Sequence, residues 1–202
     1  MSSKPGVRTL RLPAPDLNKV RIPRFRQRSR DWFRVHQSQH GAINFSLNPA
    51  HRFSHADCPY HLIYLAADVG TCLFERFGDK AYDGEKAVAL SLWEAHSASV
   101  VKVPELQVCD LTNARTLSAL KVDLGTLMHH DLAVPQAWGI ALQRHPANFQ
   151  GIKFKSRFNG KPCLALFRRD SIENALRERL LEKLPSNDAA VDWLEKYKVS
   201  LY

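Results

Sequence analysis

The 202-residue chain reads as an α+β protein, a single domain whose mixed or antiparallel sheet is surrounded by helices. Three observations predict it. GIKFKSRF alternates apolar and basic residues, Asn159-Gly160 supplies a turn, and PCLALF returns as a second apolar run, which together make a β-hairpin pattern. LIYLAA, from Leu62 to Ala67, is a short apolar strand, and VGTCLFERF after it spaces Val69, Cys72, Leu73 and Phe77 by three and four, a strand running into a helix. Two amphipathic segments close the chain. Hairpins and helices do not alternate regularly, which favours α+β over a doubly wound parallel sheet.

In chain order, residues 1–30 form a basic amino-terminal arm, with prolines at 5, 13, 15 and 23. Leu10, Leu12 and Val20 to Phe25 are the residues with which this arm would wrap the domain. Residues 31–170 form the body, and 171–202 a pair of amphipathic helices packed on it. Within the body, AVALSLWEAH at 87–96 fits helix and strand periods alike. SVVKVPELQVCDLTN favours a strand by its alternation and β-branched content, with Pro104 at an edge or a strand start. VPQAWGIALQRH places Ala137, Trp138, Ala141 and Leu142 on one face of a helix that begins at a proline, where a missing N–H is no loss. In the hairpin, Ser156 points the same way as Ile152, Phe154 and Phe158, so its hydroxyl is either buried or facing a pocket, and a buried hydroxyl needs a partner. At the end, Ile172, Leu176, Leu180 and Leu184 align as the apolar line of one helix, and Val191, Leu194 and Tyr197 as that of a second.

The formal charge is +9, unevenly distributed. Ten Lys/Arg against two Asp/Glu lie in the first 34 residues, and nineteen against eighteen in the remaining 168. A nearly neutral body makes a poor electrostatic footprint for nucleic acid, and no helix-turn-helix, zinc-finger or RRM pattern is present. No apolar run approaches the roughly 20 residues that span a bilayer, and MSSKPGVRTLRLPAPD lacks the apolar core of a secretory signal, so a cytoplasmic protein with no membrane partner is expected. Cys58, Cys72, Cys109 and Cys163 are widely spaced and mostly set in apolar runs, a pattern of small buried hydrophobes rather than disulfides.

HRFSHADCPYH sets His51, His55, Cys58 and His61 within eleven residues, donors that suit zinc chemically. The spacing matches no standard knuckle and Pro59 interrupts it, so the expectation is no metal, with the histidines in ordinary loops or one of them touching a ligand. Arg34, Arg52, Tyr64 and Glu75 share no local periodicity, and only a fold could make them one site. Singly, each has a plain alternative: a solvated carboxylate, a core tyrosine, or surface arginines whose stems cover apolar area. There is no G-x-G-x-x-G or Walker A loop, and no G-x-S-x-G elbow around Ser156 that would make it a nucleophile.

Taken with Ser156 and Arg157, these residues resemble a family. RVHQSQHGAINFSLNPAHRFS, LIYLAADVGTCLFERFGD and WGIALQRHPANFQGIKFKSRFNGKPCLALF are similar to the RES domain, over about residues 30–170. The resemblance implies a toxin of a type II toxin–antitoxin pair, with a fold like that of ADP-ribosyltransferase toxins and NAD as substrate rather than cofactor. It implies cleavage of the nicotinamide glycosidic bond with inorganic phosphate or water as acceptor, ADP-ribosyl transfer to a protein being a further possibility. The partner it implies is an Xre-like antitoxin that blocks the active site, with a homodimer inside a larger complex. By the resemblance, Glu75, Arg34 and Ser156 are the catalytic set, and Arg52, Tyr64, Arg34, Ser156 and His51 bind the dinucleotide. His51 stands where the family commonly has glycine, the 77–150 stretch is longer than in compact members, and the arm lies outside the match.

The chemistry is intelligible from the residue types. Nicotinamide leaves NAD as a neutral group, so the transition state is oxocarbenium-like and a carboxylate such as Glu75 that stabilises positive charge is worth more than a proton donor. Arginine forks suit phosphate. The competing class is a non-catalytic module that binds nucleic acid or protein. Phosphorolysis is favoured over hydrolysis because two arginines can place an anionic nucleophile.

Overall fold

Asn159 and Gly160 turn the chain as their residue types require, with Gly160 in the left-handed region at φ +71°. The computed structural model describes residues 10–56, 60–82 and 86–202. The strands are β1 (Phe25–Gln27), β2 (Arg30–Gln37), β3 (Leu62–Ala66), β4 (Ala87–Val88), β5 (His96–Val103), β6 (Leu106–Asp110), β7 (Gly151–Lys155), β8 (Pro162–Phe167), β9 (Arg177–Lys183) and β10 (Ser200–Leu201). The helices are α1 (Val69–Tyr82), α2 (Leu90–Glu94), α3 (Ala114–Leu120), α4 (Leu124–Leu127), α5 (Ala133–Gln143), α6 (Asp170–Glu173) and α7 (Asp188–Tyr197). One eight-stranded sheet runs β1-β6-β7-β8-β3-β2-β5-β9, and β10 and β4 form a separate parallel pair. Within the large sheet β6 and β7 are parallel and the other neighbours antiparallel, so the sheet is mixed and the α+β expectation holds.

The sheet is not equally joined along its width. β2 pairs with β5 from Arg30↔Val103 to Gln37↔His96, and β3 with β8 from Leu62↔Phe167 to Ala66↔Cys163. Between β2 and β3 only Phe33↔Ala66 is in register, so the strands splay on either side of that point. The described parts of the chain between them, residues 38–56 and 60–61, fold over the gap. This loop is pinned to the start of β3 by the reciprocal hydrogen bonds of Ser46 and Leu62, both 3.0 Å. Helix α5 presses on the same loop: a Cβ added at Gly139 would lie 2.6 Å from the Phe53 carbonyl oxygen. Gln136, on the same helix, donates to the Pro49 carbonyl at 2.7 Å.

Three apolar clusters hold these layers. One, around Phe53, Trp138, Phe149 and Phe154, lies between the sheet and α5. A second surrounds Trp32, Ile63, Val101 and Leu164, and a third joins α1 to α7 through Phe74, Phe77, Trp93 and Trp193. Cys72, Cys109 and Cys163 are buried free thiols, while Cys58 lies outside the described residues. Among the described residues no helix is long and apolar enough to cross a membrane.

The carboxyl-terminal segment differs from the pair of amphipathic helices expected over 171–202. Ile172 lies in the short α6, and residues 177–183 form β9 at the sheet edge, with Leu180 60% exposed and not on a buried helix face. The physical reason is long-range: without β9, the outer edge of β5 would leave its backbone groups unpaired, and a fourfold apolar spacing cannot outweigh that pairing. The charged sequence RERLLEK also suits an edge, where charge discourages further strand addition. The second helix forms as α7, but Ala190 and Trp193 are its buried residues, and Val191 is exposed. The arm beyond residue 9 lies on the domain: Leu17 and Ile22 are buried, Trp138 Nε1 donates to the Arg11 carbonyl at 2.9 Å, and β1 pairs with β6, although Leu12 remains exposed.

Because the Gly139 approach seats α5 on the loop that carries Arg52, Gly139→Ala is expected to cost about 1–3 kcal/mol by overpacking. The urea midpoint reads it, and an unchanged midpoint would show that helix and loop part freely.

Candidate functional site

Asp68 caps the amino terminus of α1, accepting from the Thr71 N–H and from its hydroxyl, both at 2.8 Å. The same carboxylate pairs with Lys161 at 2.8 Å, and Asn159 Nδ2 donates to Thr71 Oγ1 at 3.1 Å, so the hairpin turn is tied to the first turn of the helix. Further along, Phe158 lies against Gly78, where an added Cβ would fall 2.6 Å from the ring. These contacts fix the hairpin along α1. Ser156, fully buried between them, donates its hydroxyl to Glu75 Oε1 at 2.6 Å and accepts the Phe158 N–H at 3.3 Å. The predicted need of a buried hydroxyl for a partner is met by the carboxylate 81 residues away.

Glu75 borders a cleft of about 650 Å³ that opens where β2 and β3 splay, a volume typical of small-molecule sites. Cys72, Glu75, Arg76 and Asp79 line it from one face of α1, at helical spacing. Arg34 enters from β2, His51 and Arg52 from the covering loop, Tyr64 from β3 and Arg157 from the hairpin turn. The fold therefore brings Arg34, His51, Arg52, Tyr64 and Glu75 to one cavity wall. Ser156 stands behind Glu75 with no exposed surface, so it holds the carboxylate and has no direct access to a ligand. His55 and His61 do not line the cleft, and Cys58 lies outside the described residues. Among the described residues no group of three or more His, Cys, Asp and Glu side chains is placed to hold a metal.

Each cation is anchored. Arg34 Nη1 donates to the carbonyls of Ala42 and Asn44, the latter at 2.9 Å, and Arg52 Nη1 donates to the Leu127 carbonyl at 2.8 Å. Arg157 pairs with Asp79 and lies 4.5 Å from the Phe158 ring centroid. The Tyr64 hydroxyl accepts from the Phe53 N–H at 3.0 Å, which steadies the loop beside Arg52, and its ring meets His51 edge to face at 5.0 Å.

Burial in the cleft lowers the Arg34 pKa to about 10, leaving it charged at neutral pH. It lowers His51 to about 4, with Arg76 and Arg34 adding to the effect, so that imidazole is neutral. Glu75 reaches solvent through the open mouth, yet the surrounding walls strip enough water to raise its pKa; the Ser156 hydrogen bond and then Arg52 and Arg157 act in the opposite direction. Cys72 and Cys163 also line the cleft, but burial pushes their thiols up, so neither offers a thiolate nucleophile.

Sequence reading missed Arg76, Asp79 and Gln136, and gave Arg157 no role. The spacing 72, 75, 76, 79 on a helix carrying a candidate glutamate was an available signal for the first two. Gln136 looked like part of an ordinary helix, and only the loop laid across it gives it a function.

Residues 31–185 match a family profile described as the RES domain. Among solved structures, the M. tuberculosis MbcT toxin, in the crystal structure of the MbcT-MbcA toxin-antitoxin complex, superposes with a TM-score of 0.60 at 17% identity, over 84% of this chain and 90% of that chain. That similarity shows a shared fold. No match was found among curated proteins.

The Ser156 hydroxyl favours the charged form of Glu75, whereas burial disfavours it. Ser156→Ala removes only the first influence, so the Glu75 carboxyl should titrate at higher pH than in the parent protein. Carbon-13 NMR of the side-chain carboxyls follows it directly; an unmoved or downward-shifted titration would contradict the assigned hydrogen bond.

Proposed function

Because the chain belongs to the RES domain family, we propose that it is a toxin of a toxin–antitoxin pair that degrades NAD at the nicotinamide glycosidic bond, with inorganic phosphate as acceptor. The observation that carries this reading is the Glu75 carboxylate, gripped by buried Ser156 at the edge of an arginine-lined cleft. Arg34, Arg52, Arg76 and Arg157 face only Glu75 and Asp79 as acids among the lining residues, and Asp79 is paired with Arg157. Such a cleft favours a polyanionic small molecule while keeping one carboxylate for a developing cation.

In the proposed reaction the bond between C1″ of the ribose and the nicotinamide nitrogen breaks, its electron pair going to the ring, which leaves neutral. A phosphate oxygen forms the new bond at C1″. Glu75 stabilises the oxocarbenium-like transition state, and no proton is needed at the leaving group. Arg34 and Arg52 offer guanidinium forks to the phosphates, and each is already steadied by backbone carbonyls, so little ordering remains on binding. His51 is neutral at physiological pH and adds hydrogen-bonding capacity without adding charge. Ser156 acts through Glu75 and does not touch the substrate. An antitoxin that blocks this cleft, Xre-like in the family reading, would offer a carboxylate to the same arginines.

Incubation of the purified chain with NAD, with and without phosphate, tests the proposal. Nicotinamide and ADP-ribose-1″-phosphate are the expected products, and Glu75→Gln is expected to lower kcat by about 10²–10³-fold, the scale for loss of one transition-state stabiliser. ADP-ribose as the product in the presence of phosphate would replace phosphate by water as the acceptor, and label retained on protein would mean transfer. NAD left intact under both conditions would reject the enzyme in favour of a binding module.

A further inference from the structure

Two of the cleft's cations were not expected to act, and one of them has a dedicated support. Arg76 Nε donates to His96 Nε2 at 3.0 Å, and His96 is completely buried. An arginine has only donors, so Nε2 must be the lone-pair nitrogen of the imidazole. The proton is then on Nδ1, which donates to the Leu92 carbonyl at 2.6 Å. His96 is thereby fixed as a neutral acceptor, and burial, which lowers its pKa, preserves that state. The result is a guanidinium held by its Nε end beside the cleft that Arg34 and His51 also line.

His51 can be assigned by the same reasoning. The Asn48 side-chain oxygen accepts the Ala50 N–H at 3.0 Å, which fixes the amide orientation, so Asn48 Nδ2 is the atom 3.3 Å from His51 Nε2. That nitrogen of the neutral ring therefore accepts, and Nδ1 carries the proton. Nδ1 is buried with no hydrogen-bond partner among the described residues. Unlike Ser156, the His51 ring is only partly buried, so a turn of the ring toward the cleft brings this unpartnered donor to a bound anionic oxygen.

We propose that Arg76, positioned by neutral His96, joins Arg34 and the His51 Nδ1–H in a phosphoryl-binding subsite of the cleft. Its ligand is a phosphoryl group, from either the dinucleotide's diphosphate or free orthophosphate. The assignment of that source rests on the NAD-degrading reading, whereas anion binding does not. Lysine at position 76 is not equivalent to arginine here, because all its donors sit on one nitrogen, whereas the guanidinium bonds His96 through Nε and keeps its separate Nη groups for an anion.

Calorimetric titration of the full chain with inorganic pyrophosphate and with orthophosphate, at fixed ionic strength, tests the subsite without turnover. Arg76→Ala and Arg76→Lys are expected to weaken the binding of at least one anion by about tenfold or more, as loss of a charge-assisted contact implies. His96→Gln, which keeps an acceptor, should retain binding, whereas His96→Phe should lose it with Arg76 still present. A thermal melt of each variant checks that the fold persists, and the Arg76 variants carry the test alone if His96→Phe does not fold. If the parent chain is active, a raised KM for NAD with unchanged phosphate KM in Arg76→Ala assigns the diphosphate to the subsite, and the converse assigns the acceptor. Parent-level binding of both anions by Arg76→Ala, or no binding by the parent chain, overturns the subsite. A chain that binds pyrophosphate through Arg76 but leaves NAD intact rejects the NAD reading alone.

Discussion

The 2.6 Å hydrogen bond from Ser156 to Glu75 joins the two halves of the site, and its geometry depends on how α1 and the β7–β8 hairpin are locked together. Asp68 receives the helix N–H, the Thr71 hydroxyl and the Lys161 ammonium at one end, and Phe158 fills the space above Gly78 at the other. With both ends fixed, the serine has nowhere to point but at the carboxylate. A carboxylate at the edge of a low-water cleft would otherwise be free to turn toward Arg52 or Arg157; the hydroxyl holds it in a defined orientation and preserves its charge against the burial that disfavours it.

The second constraint is the weak join between β2 and β3. A sheet paired along its full width would leave no opening between Arg34 and Tyr64, and the single register at Phe33↔Ala66 lets the strands diverge. The exposed edges are covered by residues 38–56, which Ser46, Gln136 and the close approach at Gly139 hold in place. The loop thus closes the gap and delivers His51 and Arg52 to it. Net charge follows the same local logic: most of the chain's surplus lies in the first 34 residues, yet the cleft is cationic because three of its four arginines come from the nearly balanced remainder.

What could be read from the sequence was what local periodicity encodes. The strand at Leu62, the helix after it and the hairpin each carry their pattern within about fifteen residues and each forms, although β7 stops at Lys155 and Ser156 to Gly160 make a longer turn than Asn-Gly alone. Ser156 was recognisable as a hydroxyl on an apolar face that would need a partner. That its partner is Glu75 is a contact across 81 residues, which no period can encode; the family resemblance placed both residues in one catalytic set but did not pair them. The expected direct contact of Ser156 with substrate finds no exposed hydroxyl to make it, and the bond the hydroxyl forms is to Glu75. β9 was read as helix because its leucines share helical spacing with Ile172, while the demand of β5 for a partner strand is invisible in one segment. Arg76 was overlooked because its support, His96, lies in another strand.

The most direct measurement is a crystal structure of the Glu75→Gln variant with NAD bound. The nicotinamide ribose is expected within hydrogen-bond reach of residue 75 and of no atom of Ser156, with the dinucleotide's phosphates against the cleft arginines. NAD bound outside the cleft, or bound with its nicotinamide ribose remote from residue 75, would contradict that expectation.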